Sequence, residues 1–204
     1  MAKVIDAEDL VLRKKKLPTE AFFVDTNIII LYKDPFSASL TNEELSRFSE
    51  KVSYSMEYLK ANYKTYSTIY SAFEYYKHLQ HHYFTSQTGD RFLNTSKFKK
   101  LKIENEVFKD GWKRHMISFR KVFYKNFPII NSNEDKANLI YQFESEAMDF
   151  GDYAIWKAVE SSKETFHCIF SNDSDLYNIS DDIYLLTTNP KIIIEAKSNG
   201  KLFI

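Results

Sequence analysis

The 204-residue chain is predicted to fold as one α/β domain, with a central parallel sheet and helices on both of its faces. Short apolar runs alternate with amphipathic helical patterns, the signature of βαβ units stacked side by side. One of those runs ends directly at Asp25 and another in Ser171-Asn172-Asp173, which places acids just beyond the carboxyl ends of strands. The length suits a single sizeable core spanning residues 1–204, with room for an insertion at about 85–130.

The first run, Ala21-Phe22-Phe23-Val24, reads as a buried strand that ends at Asp25-Thr26-Asn27. A short apolar helix through Ile28 to Tyr32 follows and stops at Asp34-Pro35. Thr41 to Asn62 carries apolar residues at Leu45, Phe48, Val52, Met56 and Leu59, a helical spacing, with Thr41 and Glu44 at capping-box positions. Tyr63 to Thr68 is expected to be a strand and Ser71 to Phe84 a helix. One long helix is expected from about Ile103 to Lys125, where Pro128 and Asn131-Ser132-Asn133 interrupt the pattern. Glu134 to Met148 and Asp152 to Ser161 read as helices, and Phe166 to Phe170 and Ile183 to Leu186 as strands. Asn189-Pro190 opens a short closing helix, with proline at its first position. The segment before Ala21, containing Arg13-Lys14-Lys15-Lys16 and Pro18, reads as a polar start.

Charge is balanced at 28 basic against 28 acidic residues, but it is not evenly spread. Arg91 to Lys125 holds 11 Lys/Arg against three acids, and Asn131 to Asp182 holds 12 acids against three Lys. The one cysteine, Cys168, excludes an internal disulfide and a cysteine zinc site, and its apolar strand predicts a buried thiol. No stretch approaches the roughly 18 apolar residues that cross a bilayer, and the start has no secretory pattern, so a cytoplasmic location without a membrane partner is expected. Four glycines leave little room for a glycine-rich phosphate loop.

The acids carry the chemistry. Asp25 and Asp173 follow apolar strands, Asp152 opens a helix, and Glu74 lies a turn into the helix after the second strand. In open α/β sheets the crevice beyond the strand C-termini is where ligands bind. Carboxylates gathered there repel one another unless a cation offsets them, and oxygen donors without cysteine or clustered histidine favour Mg²⁺ or Mn²⁺. Such ions suit phosphodiester hydrolysis by an activated water, and no side-chain nucleophile is evident.

Taken in order, these segments resemble the motifs of the PIN-domain nucleases. Val24-Asp25-Thr26-Asn27 looks like the family's opening motif, and Thr68-Ile69-Tyr70-Ser71-Ala72-Phe73-Glu74 like the strand and helix carrying its second acid. Asp152-Tyr153-Ala154-Ile155 with Ala158 is similar to the third motif, and Ser171-Asn172-Asp173-Ser174-Asp175 to the fourth. Leu185-Leu186-Thr187-Thr188-Asn189-Pro190 matches the closing strand and helix, so the resemblance runs from Phe22 to about Ala196. It implies a PIN-like three-layer fold and a metal-dependent endoribonuclease akin to VapC-like toxins and processing enzymes. Asp25, Glu74, Asp152 and Asp173 would be its catalytic and metal-holding acids, with Asp175 the better spare ligand and Asp149 a weaker one. Thr26 and Asn27 would orient Asp25 or the attacking water. RNA is the implied substrate, and an antitoxin-like protein or a second copy of the chain are partners such a protein can have. The chain departs from the compact toxin pattern, because residues 75 through 151, 77 in all, separate Glu74 from Asp152.

Each residue also has a plainer reading. Asp25 and Asp152 can cap helices, Glu74 can be a solvated helix residue, and Asp173 and Asp175 can shape an Asx-turn. Lys97, Lys99, Lys100, Lys102, Lys113 and Arg114 are candidate nucleic-acid contacts, whereas the aromatics among them, Phe98, Phe108, Trp112, Phe119 and Phe123, fit a helix core better than a base-stacking surface. His78 and His82 share a helix face without the glutamate of a zinc-protease motif. A non-catalytic PIN-like module that binds RNA or protein is the main alternative. A phosphatase using Asp25 as nucleophile is disfavoured, since its usual second acid is replaced by Asn27.

Overall fold

The computed structural model of the protein describes residues 1–35, 42–130, 149–162, 167–178 and 182–203. Thr41, the Glu44 side chain, Phe166, Asn131-Ser132-Asn133 and the helix read at Glu134–Met148 lie outside the described residues. The rest form an α/β fold around a five-stranded sheet in which every pairing is parallel.

The first strand and helix, β1 (Lys3–Asp6) and α1 (Ala7–Leu12), fall in the segment that reads as a polar start. Then come β2 (Ala21–Val24), α2 (Thr26–Lys33), α3 (Asn42–Asn62), β3 (Lys64–Tyr66) and α4 (Ile69–Thr88). Next are α5 (Thr95–Glu104), α6 (Glu106–Lys121) and a π-helical turn at Val122–Asn126. The chain closes through α7 (Phe150–Glu160), β4 (Cys168–Phe170), a 3₁₀ turn at Asp175–Asn178, β5 (Tyr184–Thr187) and α8 (Pro190–Ser198).

Strand order is β1-β5-β4-β2-β3. From β2 the chain moves outward to β3 on one side and later returns to β4 on the other, so the order reverses between β2 and β4. That reversal opens a crevice at the carboxyl ends of these two central strands. Register brings Val24 opposite Phe170, so both strands end at the same level. The outer edges are covered by isolated parallel bridges, Val4 with Leu202 and Ser67 with Ile129, which use backbone groups an open edge would leave unpaired.

Strand residues alternate strictly between two cores. Ile5, Phe22, Val24, Cys168, Phe170 and Leu186 face one cluster, built with α1 to α4 and the π-helical turn. Val4, Phe23, Ile169 and Leu185 face the other, with Val159 of α7 and Ile192 and Ala196 of α8. Helices therefore cover both faces, which is why these strands read as continuous apolar runs. Cys168 is buried in the first cluster, as its strand position requires.

The single helix expected from Ile103 to Lys125 is two helices. Asn105 has extended backbone, ending α5 and capping α6 by accepting from the Phe108 N–H at 3.0 Å. The break folds α5 against α6 and gathers Phe84, Phe98, Phe108 and Trp112 into a third apolar cluster beside Tyr83 of α4. Further along, Phe119 and Phe123 pack on Tyr75. The phenylalanines and tryptophan at 98, 108, 112, 119 and 123 therefore pack in or against the core, whereas Phe92 and Tyr124 of the same segment are exposed. Phe98 lies at the centre, its ring 5.1 Å from that of Trp112 and 5.4 Å from that of Phe108. Phe98→Ala should cost about 3–5 kcal/mol of stability, read as a lowered urea midpoint.

Candidate metal centre

Asp25 is the N-cap of α2 and is almost fully buried, 2% exposed. Three donors meet its carboxylate: the Thr26 N–H at 2.5 Å on Oδ1, and Asn27 Nδ2 and Ser171 Oγ, both at 2.6 Å, on Oδ2. Asp25 caps a helix, as its plainer reading has it, and its carboxylate also reaches across to the loop after β4. Burial pushes its pKa up to about 7. The Ser171 and Thr26 hydrogen bonds oppose that rise, and the charges on Glu74 and Asp173 add to it.

Glu74 is not a solvated helix residue. It is drawn inward by the Thr26 hydroxyl, which donates to Oε2 at 2.7 Å, and its pKa is raised first by burial and then by Asp149 and Asp173. A Cβ built on Gly151 would fall on Glu74 Oε1. Only glycine at the start of α7 lets the Glu74 carboxylate lie where it does.

Asp152 does not open α7. The cap is Asp149, whose Oδ1 accepts from the Asp152 N–H at 3.0 Å, leaving Asp152 two residues inside the first turn. Its carboxylate is driven to a pKa of about 8, first by burial and then by the charges of Asp25, Asp173, Asp149 and Glu74. Asp152, Asp173 and Asp175 each place a carboxylate oxygen within 4.8 Å of the other two. Among the described residues this is the group that gathers metal-ligating atoms so closely. Asp25 and Glu74 stand outside that spacing while still acting on Asp152 through their charge.

The loop after β4 is held by small polar side chains that carry no assigned role in the motifs. Ser171 Oγ accepts from the Asp173 N–H at 3.0 Å while donating to Asp25. Asn172 Oδ1 accepts from Thr187 Oγ1 and the Thr188 N–H, both at 2.9 Å, and Asn189 Nδ2 donates to the Asn172 carbonyl at 2.9 Å. The Asp175 N–H donates to Asp173 Oδ1 at 3.0 Å, so the Asx-turn reading of Asp173 is also met. The available signal was the density of small polar residues directly after an apolar strand. For Asp149 it was the cap spacing of three to Asp152.

Oxygen-only donors, mutual repulsion and this spacing fit a hard divalent ion. Mg–O distances of about 2.0–2.1 Å set ligand oxygens roughly 3–4 Å apart, so a small contraction of the three aspartates would close on one. His78 and His82 stack face to face, ring centroids 6.4 Å apart, outside that acidic group.

The basic candidates lie elsewhere. Lys97 is paired with Asp90, Lys100 with Glu104 and Lys113 with Asp110, all at the exposed surface. Lys99, Lys102 and Arg114 occupy the same two helices. Lys97 Nζ sits 5.9 Å from the Phe84 ring, ten residues along α4 from Glu74, or about 15 Å of helix. No described helix is long and apolar enough to cross a membrane. Comparison with protein-family models, curated proteins and solved structures finds no match to the chain.

Two outcomes follow from the electrostatics. Asp25 and Asp152 bind protons in the folded protein at pH values where the unfolded chain has lost them, so stability falls as pH rises from about 4 towards 7 and 8. Asp25 alone should remove about 2–3 kcal/mol between pH 5 and pH 8 in metal-free protein. Asp152→Asn should flatten that slope, and millimolar Mn²⁺ should reverse it, both measured by thermal unfolding. Gly151→Ala should swing Glu74 aside with little effect on folding, because the displaced atoms end a flexible side chain; its test is an unchanged Tm together with a lowered Asp152 pKa by NMR, since the Glu74 charge helps to raise it.

Proposed function

We propose that the protein is a Mg²⁺- or Mn²⁺-dependent endonuclease of the PIN-like kind, acting on RNA. The observation that carries the reading is the convergence of Asp152, Asp173 and Asp175 beside buried Asp25, at the carboxyl edge of β2 and β4 where the strand order reverses. Support also comes from the order of the motifs along the sequence, and the preference for RNA rests on that resemblance.

In this reading Asp152, Asp173 and Asp175 hold the ion. A divalent ion held there would supply a water of lowered pKa and positive charge to offset that of the phosphoryl group and leaving oxygen. Asp25 ties the β2–α2 turn to Ser171, which fixes the backbone of the loop bearing Asp173 and Asp175. Glu74 Oε2 is taken by Thr26, which leaves Oε1 to accept a hydrogen bond from the attacking water and so orient it. The phosphodiester is cut by in-line displacement, with water adding at phosphorus and the bridging oxygen leaving with a proton.

Purified protein should cut labelled RNA with Mn²⁺ or Mg²⁺ and stop with EDTA. Asp25→Asn and Asp152→Asn should each lower the rate at least 100-fold while remaining folded by circular dichroism. Full activity in either variant, or cutting that persists in EDTA, would sink the mechanism. Metal-independent RNA binding with no cutting would favour the non-catalytic module.

A further inference from the structure

The outward face of α6 carries a stripe of positive charge that the acidic site does not account for. At about 100° per residue, Lys113, Arg114, Arg120 and Lys121 fall within about 60° of Ile117 around the helix, and all five are exposed. Phe108, Trp112 and Phe123 occupy the opposite side and are buried. From Gly111 to Asn126 the sequence holds Lys113, Arg114, Arg120, Lys121 and Lys125 and no acid. Lys113 shares its charge with Asp110 at 2.9 Å, whereas Arg114, Arg120 and Lys121 form no ion pair among the described residues. Ring contacts fix the direction of the stripe. Tyr83 of α4 packs on Phe108, centroids 4.8 Å apart, and Tyr75 packs on Phe123 at 5.7 Å. Helix α6 therefore runs antiparallel to α4, and its carboxyl end, with Arg120 and Lys121, lies alongside the turn of α4 that carries Glu74.

Resting on the nuclease reading above, we infer that this face of α6 is a second RNA contact, which holds the sugar–phosphate backbone of the substrate away from the scissile bond. Three basic side chains without partners of their own are suited to phosphates, which they neutralise with release of counterions. From Lys113 to Lys121 is about 12 Å of helix, enough to follow a strand past more than one phosphate. The acids beside Asp25 repel a polyanion, and positive charge on the neighbouring helix offsets that repulsion as the strand approaches. An acidic protein is the other polyanion to consider. The stripe offers it only Ile117 and Tyr124 as exposed apolar anchors, whereas the centre of a protein interface is apolar and poor in lysine.

The test is a variant in which Arg114→Gln, Arg120→Gln and Lys121→Gln are combined, beside a control of equal charge loss, Lys14→Gln, Lys16→Gln and Lys64→Gln, at exposed positions outside α6. Binding of a labelled RNA 20-mer without metal is followed by fluorescence anisotropy across a salt series, and cleavage is followed in Mn²⁺. In the α6 variant RNA affinity should fall at least tenfold, and the slope of log K against log salt should become shallower by about 2. KM should rise tenfold or more, kcat should change less than threefold, and the control should stay within threefold of wild type throughout. Unchanged affinity in the α6 variant, or an equal loss in the control, overturns the stripe and leaves the nuclease standing if wild type still cuts. If wild type binds RNA without cutting it, the nuclease reading fails, and the same affinity comparison still decides the stripe. Polyglutamate that displaces the labelled RNA as well as unlabelled RNA does would assign the face to an acidic protein and overturn the RNA contact.

Discussion

A carboxylate has been taken almost wholly out of water at the carboxyl end of β2, and much of the molecule is arranged around that fact. Burying a charge in this way is costly unless hydrogen bonds compensate it. Asp25 receives them from its own helix through the Thr26 N–H, from the next residue through Asn27, and from the neighbouring strand's loop through Ser171. Thr26 then reaches Glu74, and Asn27 Oδ1 accepts from the Asn172 N–H at 3.2 Å. One buried acid thus links α2, α4 and the loop after β4. Those hydrogen bonds only partly offset burial, so the site retains an electrostatic debt that a divalent cation is suited to relieve.

How much of this was legible in the sequence depended on pattern length. The strands β2, β4 and β5 are apolar on both faces and announce themselves as runs, and the acids that follow them could be read as a set. The strand β1 could not, since Lys3-Val4-Ile5-Asp6 offers two apolar residues beside charged neighbours. Asp6 is instructive because it stands at the end of a strand and caps the next helix as Asp25 does, yet its Oδ1 accepts from the Glu8 and Asp9 N–H groups at the start of α1. Position after a strand makes an aspartate a cap; the company of Glu74, Asp152 and Asp173 is what distinguishes Asp25.

Other features depend on contacts that no local pattern records. The apolar spacing of residues 95 to 125 runs smoothly through Asn105, and it is packing of Phe98 on Trp112 and Phe84 that rewards the break. The basic residues read as candidate nucleic-acid contacts, and the folded chain sets Lys97, Lys100 and Lys113 beside local acids, with Lys97 near the far end of α4. The role of Gly151 was equally hidden, because it depends on a carboxylate 77 residues earlier in the chain.

The bridge between Val4 and Leu202 joins the first strand to the last described residues. The Val4 N–H donates to the Lys201 carbonyl at 2.9 Å, and the Phe203 N–H donates to the Val4 carbonyl at 2.7 Å. Residues 4 and 202 are therefore spatial neighbours, and because the two segments run parallel, a return connection of about a dozen residues would be needed to link them. A cut at the left-handed Gly89 turn between α4 and α5 would then give a permuted chain with every strand pairing preserved. Such a chain would begin with the basic helices and end with α4, so the order in which the acids are synthesised would change while their arrangement in space would not.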